Sequence, residues 1–223
     1  MSAFYCEIFP DRIELLTDAA FYSDDGTLTD IGRKVWTSEY LPLAVTGRGD
    51  REAVASVAAA VMAAATVMTT VNDVINVFEE MLAERKGSAP AEHVEILIAG
   101  VSETDGPAAF FVNTHGLDGF DAWQLYRTPD AFGAGGELTE AEAGAVVAVG
   151  GGLDQAGLAL MAALRRKRGR NPSKPDAPEI YGIGGHVDHT LVSALGCTTE
   201  TIHTWPDQVG KKIDPFAADV AAA

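Results

Sequence analysis

Two pairs of predicted helices separate three groups of predicted strands along this chain, and that order restricts the folds open to it. Asp50 and Thr70 are predicted N-caps of the first helix pair. Thr139 opens the third helix in a capping-box pattern, and the fourth begins near Asp154. Strand-length apolar runs bounded by turn residues predict the strands, namely Ala3–Ile8, Arg12–Thr17, Lys34–Thr37, Leu43–Thr46, Val94–Ala99, Ala108–Val112, Ala122–Arg127, Ile180–Gly184, His186–Val192 and Thr198–Thr204. Groups of strands alternating with helix pairs predict two antiparallel sheets packed together, with the helices outside.

The length of 223 residues predicts a single domain, 1–223, with a loose tail over about 215–223. The net charge of −16 favours a soluble protein and argues against a nucleic acid or a membrane as partner. The most apolar window, Ala53–Met68, is too short for a membrane span and predicts a buried helix. No signal peptide is evident, so we expect a cytoplasmic protein in which Cys6 and Cys197 are reduced thiols.

The start of the chain carries a set of residues that suits nucleophilic catalysis. Removal of Met1 would give Ser2 a free α-amine, whose reference pKa of about 7.7–8.0 allows it to act as a base toward the Ser2 hydroxyl. Asp18 follows Ser2 by 16 positions, and Lys34 follows Asp18 by 16 more. A lysine beside the amine would lower its pKa, and an aspartate would hold that lysine in place. The backbone N–H of Gly47, at a junction between a strand and a helix, is a candidate oxyanion donor.

These residues and their flanks resemble the N-terminal-nucleophile (Ntn) hydrolase superfamily, in particular proteasome β-subunits and their bacterial relatives. The spacing Ser2–Asp18–Lys34 equals that of the family's nucleophile, aspartate and lysine. The flanking stretches Leu16–Ala20, Arg33–Val35 and Ala44–Gly47 agree with it. The resemblance covers roughly the first 130 residues well. It implies a four-layer αββα sandwich, a peptidase or amidohydrolase activity through Ser2, and assembly into a homo-oligomer.

Three departures from the family pattern bear on activity. The nucleophile is Ser2 where proteasomes have threonine. The turn Gly133–Gly136 lacks the serine that the family places beside the N-terminal amine. The family's later aspartate and serine have no clear counterpart, since Ser173 and Asp176 stand in the opposite order. These departures keep open an alternative, a catalytically inactive scaffold or assembly module. A third option, a small-molecule binding protein, has no sequence feature in its favour.

Other motifs favour structural roles over chemistry. In a strand, His186 and Asp188 share a face while His189 points away, which leaves a poor zinc site. Gly182–Gly185 lacks the lysine and hydroxyl residue of a phosphate loop and predicts a bend. The basic run that begins at Arg165 predicts a solvated helix end. Cys6 is an alternative nucleophile, but its place inside a strand predicts a core residue. No metal or organic cofactor is implied.

Overall fold

The computed structural model describes residues 2–89, 92–117, 119–170, 174 and 176–216, and within them the chain forms twelve strands and four helices. The strands are β1 (Phe4–Ile8), β2 (Arg12–Asp18), β3 (Ala20–Tyr22), β4 (Leu28–Ile31), β5 (Val35–Thr37), β6 (Leu43–Gly49), β7 (Val94–Ser102), β8 (Gly106–Asn113), β9 (Tyr126–Arg127), β10 (Ala131–Ala134), β11 (His186–Ser193) and β12 (Gly196–Thr204). The helices are α1 (Arg51–Val67), α2 (Val71–Ala83), α3 (Glu140–Val149) and α4 (Ala156–Arg165).

The strands form three sheets, and every pair of neighbouring strands is antiparallel. One sheet has the order β10-β1-β2-β11-β12, the second has the order β5-β6-β7-β8-β9, and the third is the hairpin β3-β4. In the first sheet Asp18, the last residue of β2, pairs with Val187 of β11. The third sheet follows directly after Asp18, so a hairpin stands beside the end of β2.

The predicted fold class, a four-layer αββα sandwich of two sheets between helix layers, is wrong. The structure is mostly antiparallel β, with three sheets and twelve strands against four helices. Two of the helices are only ten residues long, and α3 buries none of its residues. The physical reason is that short strands build the additional hairpin, while α3 is rich in small residues and contacts the apolar cluster of the first sheet only through the partly buried Val146.

Most of the predicted elements are present, although some boundaries differ. The segment Ile180–Gly184 is not a strand: within it only Ile180 pairs, in an isolated bridge with Gly169. Of Ala122–Arg127, only the last two residues form a strand. The strands β3, β4 and β10 were not predicted. The predicted tail lies largely outside the described residues, which end at 216.

The predicted helix caps are confirmed. The Asp50 side chain accepts the N–H of Ala53, and the Thr70 hydroxyl accepts the N–H of Asp73. At α3 the Thr139 hydroxyl accepts the N–H of Glu142, whose carboxylate accepts the Thr139 N–H in return. Caps of this kind stabilise a helix by about 1 kcal/mol each.

Three apolar clusters hold the sheets and helices together. Between the two five-stranded sheets lie Phe4, Leu15, Leu97 and Phe111, all nearly inaccessible to solvent. The helices α1 and α2 pack on the second sheet through one face, in which α1 buries Val54, Ala58, Val61 and Ala65. The helix α4 packs on the first sheet through Leu160, Met161 and Leu164. Each buried Leu or Phe side chain contributes about 1.5–3 kcal/mol, so these clusters fix the strand ends that carry the site.

Among the described residues, no helix has both the length and the apolar character needed to cross a bilayer.

Candidate active site

Asp18 is the buried anchor of the candidate site. Its side chain is 0% exposed and stands at the end of β2. One carboxylate oxygen accepts the N–H of Ala3 at 2.9 Å. The other accepts the N–H of Ala20 at 3.1 Å and of Gly184 at 3.4 Å. Three backbone donors therefore fix the direction in which the carboxylate meets its cationic partner.

Lys34 joins Asp18 to Ser2. Its Nζ lies 2.9 Å from Asp18 Oδ2 and 2.9 Å from Ser2 Oγ, and its side chain is 6% exposed. Burial lowers the pKa of Lys34 below its ordinary value, Asp18 acts in the opposite direction, and the charge of Arg51 adds to the lowering. A buried amine with a lowered pKa, in contact with a hydroxyl, is suited to exchanging a proton with it.

Ser2 stands where the chain enters β1 and lies on the wall of a cleft of about 490 Å³. The cleft is lined by both polar and apolar side chains, including Phe21, Arg48, Arg51, His93 and His115. A hydroxyl on a concave surface, hydrogen-bonded to a lysine, can be reached by a small molecule or a peptide. The structure thus brings together Ser2, Asp18 and Lys34, as their spacing predicts.

Gly47 lies in β6 and pairs with Ile96 of β7, next to Thr46, which pairs with Val35, the residue after Lys34. It is buried, and a Cβ added there would lie 2.5 Å from the carbonyl oxygen of Glu95. A glycine is therefore needed at this position for the close approach of β6 to β7. The neighbouring cleft wall is formed by Arg48, Gly49, Asp50 and Arg51. The oxyanion role of Gly47 stays a prediction.

Sequence reasoning missed two features of the site. The Phe21 ring of β3 lies between two cations, with Lys34 Nζ 5.1 Å and Arg51 Cζ 4.0 Å from its centroid. The Gly184 N–H reaches Asp18 from 166 residues away. The glycine run Gly182–Gly185 predicts the bend at this contact but not where the bend packs, and the structure places it against the end of β2.

The turn that lacks the family's serine is close to the chain start. A Cβ added at Gly135 would lie 2.5 Å from the Ala3 Cβ, and Gly136 lines the cleft together with Ser2. This turn therefore brings backbone, without a hydroxyl, to the neighbourhood of Ser2. Asp176 is exposed, and Ser173 lies outside the described residues.

The histidines of β11 take part in hydrogen-bonded contacts with buried carboxylates. Asp188 is buried and accepts hydrogen bonds from Thr201 Oγ1 at 2.6 Å and Arg33 Nε at 3.2 Å, and His186 Nε2 lies 3.3 Å from it. His189 turns away and lies 3.2 Å from Glu14. Among the described residues, no group of three or more His, Cys, Asp or Glu side chains is arranged to hold a metal ion.

The two remaining candidates from the sequence have structural roles. Cys6 is fully buried between the sheets, and burial raises the pKa of its thiol to about 12, which leaves it a poor nucleophile. The basic run lies at the end of α4, as predicted, and Arg166 and Arg168 are exposed, but its first residue is not solvated: this is the buried Arg165. It is 4% exposed, forms two hydrogen bonds of 2.7 Å with Asp207, and packs over the Trp205 ring.

A stacked histidine pair forms another part of the cleft. The rings of His93 and His115 lie 4.3 Å apart and are parallel to within 3°. Three of their nitrogens, His93 Nδ1 and both of His115, are buried and have no hydrogen-bond partner in the described part of the chain. Burial lowers the pKa of His115, and His93 adds to the effect. The nearby Glu95 carboxylate is held by Arg48 through contacts of 2.7 and 2.8 Å.

Comparison with known proteins adds no relative: no protein-family model matches this chain, and no curated protein matches its sequence. The functional interpretation therefore rests on the geometry around Ser2.

Proposed function

We propose that this chain is an Ntn hydrolase related to proteasome β-subunits, which cleaves peptide or other amide bonds through Ser2. The observation that supports it is the position of Lys34 Nζ, 2.9 Å from both Ser2 Oγ and Asp18 Oδ2. A surface lysine has no need of burial beside a serine and an aspartate that already accepts three backbone N–H groups. The proposal rests on this site and not on the layering of the fold.

In the proposed reaction, Ser2 Oγ attacks the carbonyl carbon of the amide and loses its proton to a base. The α-amine of Ser2 is that base once the residue before it is removed, with Lys34 tuning the amine and Asp18 orienting Lys34. The C–N bond breaks as the base returns the proton to the leaving amine, and an ester forms on Ser2. Water then attacks the ester, which releases the acid and restores the hydroxyl. Gly47 N–H is the proposed oxyanion donor.

Lys34 itself offers a second proton route, because its lowered pKa and its contact with Ser2 Oγ allow it to act directly as the base. The two routes differ in what they require at the N-terminus. Protein that retains Met1, confirmed by intact mass, should be inactive if the α-amine is the base and active if Lys34 is.

The experiment that tests the proposal is covalent labelling of the trimmed protein by a β-lactone or an electrophilic peptide. We expect one adduct on Ser2, mapped by peptide mass spectrometry, and its loss in Ser2→Ala and Lys34→Ala. Lys212→Ala, at an exposed ion pair with Asp25 that does not line this cleft, is the control that should still be labelled. An adduct that persists in Ser2→Ala, or a trimmed wild type that is never labelled, would refute the proposal.

The rival proposal is a catalytically inactive scaffold, which the glycine turn at Gly135–Gly136 favours because it brings no hydroxyl near Ser2. Failure to label correctly folded, trimmed protein would support it. For either function we propose a cytoplasmic homo-oligomer. The charge of −16 makes nucleic acid or an anionic membrane an unfavourable partner.

A further inference from the structure

Arg51 is a cation of the cleft that the proposed chemistry does not use as a reactant. It is the first residue of α1 and lines the cleft together with Ser2. Its guanidinium stacks on Phe21, with Cζ 4.0 Å from the ring centroid, so the group has a defined position although its side chain is 57% exposed.

The distances along Ser2, Lys34, Phe21 and Arg51 limit how far this cation lies from the nucleophile. Ser2 Oγ to Lys34 Nζ is 2.9 Å, Lys34 Nζ to the Phe21 centroid is 5.1 Å, and the centroid to Arg51 Cζ is 4.0 Å. Because these distances add to 12.0 Å, Arg51 Cζ can be no farther than that from Ser2 Oγ. An extended peptide advances about 3.3–3.6 Å per residue, so Arg51 is within reach of side chains on the order of three residues from the scissile bond.

The partner that Arg51 now has is one that a ligand can replace. Arg51 Nη2 lies 3.0 Å from Asp30 Oδ2, in a pair whose side chains are 57% and 48% exposed. Exposed pairs of this kind are weak. Arg48 is held more firmly, because it binds the buried Glu95 through two contacts. Lys174 lies 2.6 Å from Asp24, in a pair that is as exposed as that of Arg51.

Three carboxylates on the cleft wall have partners, which limits their repulsion of an incoming anion, while a fourth, Glu92, is exposed to solvent. Asp50 accepts the N–H of Ala53 as the cap of α1, Glu95 is held by Arg48, and Asp24 by Lys174. A carboxylate that displaced Asp30 would gain a planar guanidinium whose geometry matches its two oxygens.

We propose that Arg51 binds a carboxylate of the substrate, so that the cleft selects peptides or other amides with an acidic side chain close to the bond that is cleaved. This inference rests on the proposed hydrolase function and specifies its substrate class.

The test uses three peptide probes with the same electrophile that differ at one position by Glu, Gln or Lys. The rate of Ser2 labelling by each probe is measured by intact mass, and the Glu-to-Gln ratio reports recognition of the charge independently of the overall reactivity. We expect Glu to be preferred by about tenfold, the change that 1.4 kcal/mol of binding free energy produces. In Arg51→Gln the ratio should fall to about one, and in Asp30→Asn it should rise because the competing carboxylate is gone.

Arg127→Gln is the matched control, since Arg127 is 54% exposed, pairs with Asp105 at 3.7 Å and does not line this cleft. It should keep the wild-type ratio. A wild-type ratio of about one, or a ratio that survives Arg51→Gln, overturns the inference and leaves the hydrolase proposal standing. Absence of Ser2 labelling by all three probes overturns both.

Discussion

At the scale of single residues, Lys34 and Lys174 show how surroundings set the charge of an amine. Lys34 is buried between Asp18 and Ser2, and burial lowers its pKa. Lys174 is exposed beside Asp24, whose hydrogen bond raises the pKa of that amine. The pKa values of these two lysines are therefore shifted in opposite directions. The lowered pKa of Lys34, beside Ser2, favours its neutral form, which can accept a proton.

A titration of the lysine amines followed by NMR should resolve this difference. We expect Lys34 to titrate below 10.5 and Lys174 above it. In Asp18→Asn the carboxylate that holds the proton on Lys34 is lost, so the Lys34 midpoint should move to still lower pH while that of Lys174 stays unchanged. A Lys34 midpoint at or above 10.5 in the wild type would contradict the desolvated site.

The stacked histidines lead to a prediction about acid stability. Because the folded-state pKa of His115 lies below its ordinary value of 6.5, the unfolded chain binds the proton more readily. The protein should therefore lose stability as pH falls below that value. We expect His115→Phe, which keeps a ring on His93 but takes up no proton, to lose less stability than the wild type between pH 7 and pH 5 in urea unfolding. His203→Phe, on β12, is the control for replacing a histidine elsewhere. If the free energy of unfolding depends on pH equally in all three proteins, protonation of His115 does not limit acid stability.

The pairing of Asp18 with Lys34 could be predicted from sequence, while other contacts at the site could not. Asp18 ends one strand and Lys34 precedes another. The prediction came from the two separations of 16 positions, Ser2–Asp18 and Asp18–Lys34, which match those of the family that the chain resembles. Phe21 lies in a three-residue strand, which is too short for apolar alternation to show. The Gly184 contact depends on a bend far along the chain, and no local pattern specifies where such a bend packs.

At the scale of elements, the hairpin β3-β4 explains the incorrect fold class. The strands on either side of the turn Ser23–Gly26 have only three and four residues, which is too short for an apolar pattern to predict them. The helix α3 was predicted from its capping box, and it forms as expected. The capping box does not determine whether the helix is buried. Because α3 lacks large apolar side chains, it covers little of the first sheet.

Two glycines test how closely elements approach each other. A methyl group at Gly47 would meet the Glu95 carbonyl oxygen at 2.5 Å and Ile96 Cδ1 at 2.9 Å, so Gly47→Ala should lower the free energy of unfolding by about 1–3 kcal/mol. Gly144 lies within α3, and no atom of the residues that the structure describes lies within 4 Å of a Cβ added there. Alanine at position 144 should raise the free energy of unfolding by about 0.5–1 kcal/mol. If α3 opens independently of the rest of the protein, the same change should instead slow hydrogen exchange within α3. Denaturant unfolding with hydrogen exchange measures both effects, and a Gly47→Ala protein as stable as the wild type would show that β6 and β7 can separate.

At the scale of the whole molecule, the outer face of α1 is the reason to expect self-association. One stripe of α1 is buried, while Ala59, Ala63 and Val67 are exposed, the last at 75%. These small apolar residues would allow a second copy to approach closely, as a helix that is apolar beyond one face favours burial on more than one side.

Light scattering at micromolar concentration should give a mass above the monomer's 23.4 kDa. Ala63→Arg should reduce that mass, since it places a charge on the exposed face of α1. Leu195→Arg should not, because Leu195 is fully exposed at the turn between β11 and β12. A wild type that stays monomeric over dilution and salt would rule out a homo-oligomer of this kind.

Through the buried Arg165, the backbone that supports Asp18 beside Ser2 depends on Asp207, which comes late in the chain. Asp207 holds Arg165 and also accepts the Gly185 N–H, Arg165 holds the Ile183 carbonyl, and the intervening Gly184 donates to Asp18. A single proteolytic nick before Asp207 would leave Ser2, Asp18 and Lys34 in one large fragment while removing the support behind Asp18. Limited proteolysis should therefore abolish labelling at Ser2 when the C-terminal fragment dissociates. Cleavage at this distant site would inactivate the nucleophile without removing Ser2, Asp18 or Lys34.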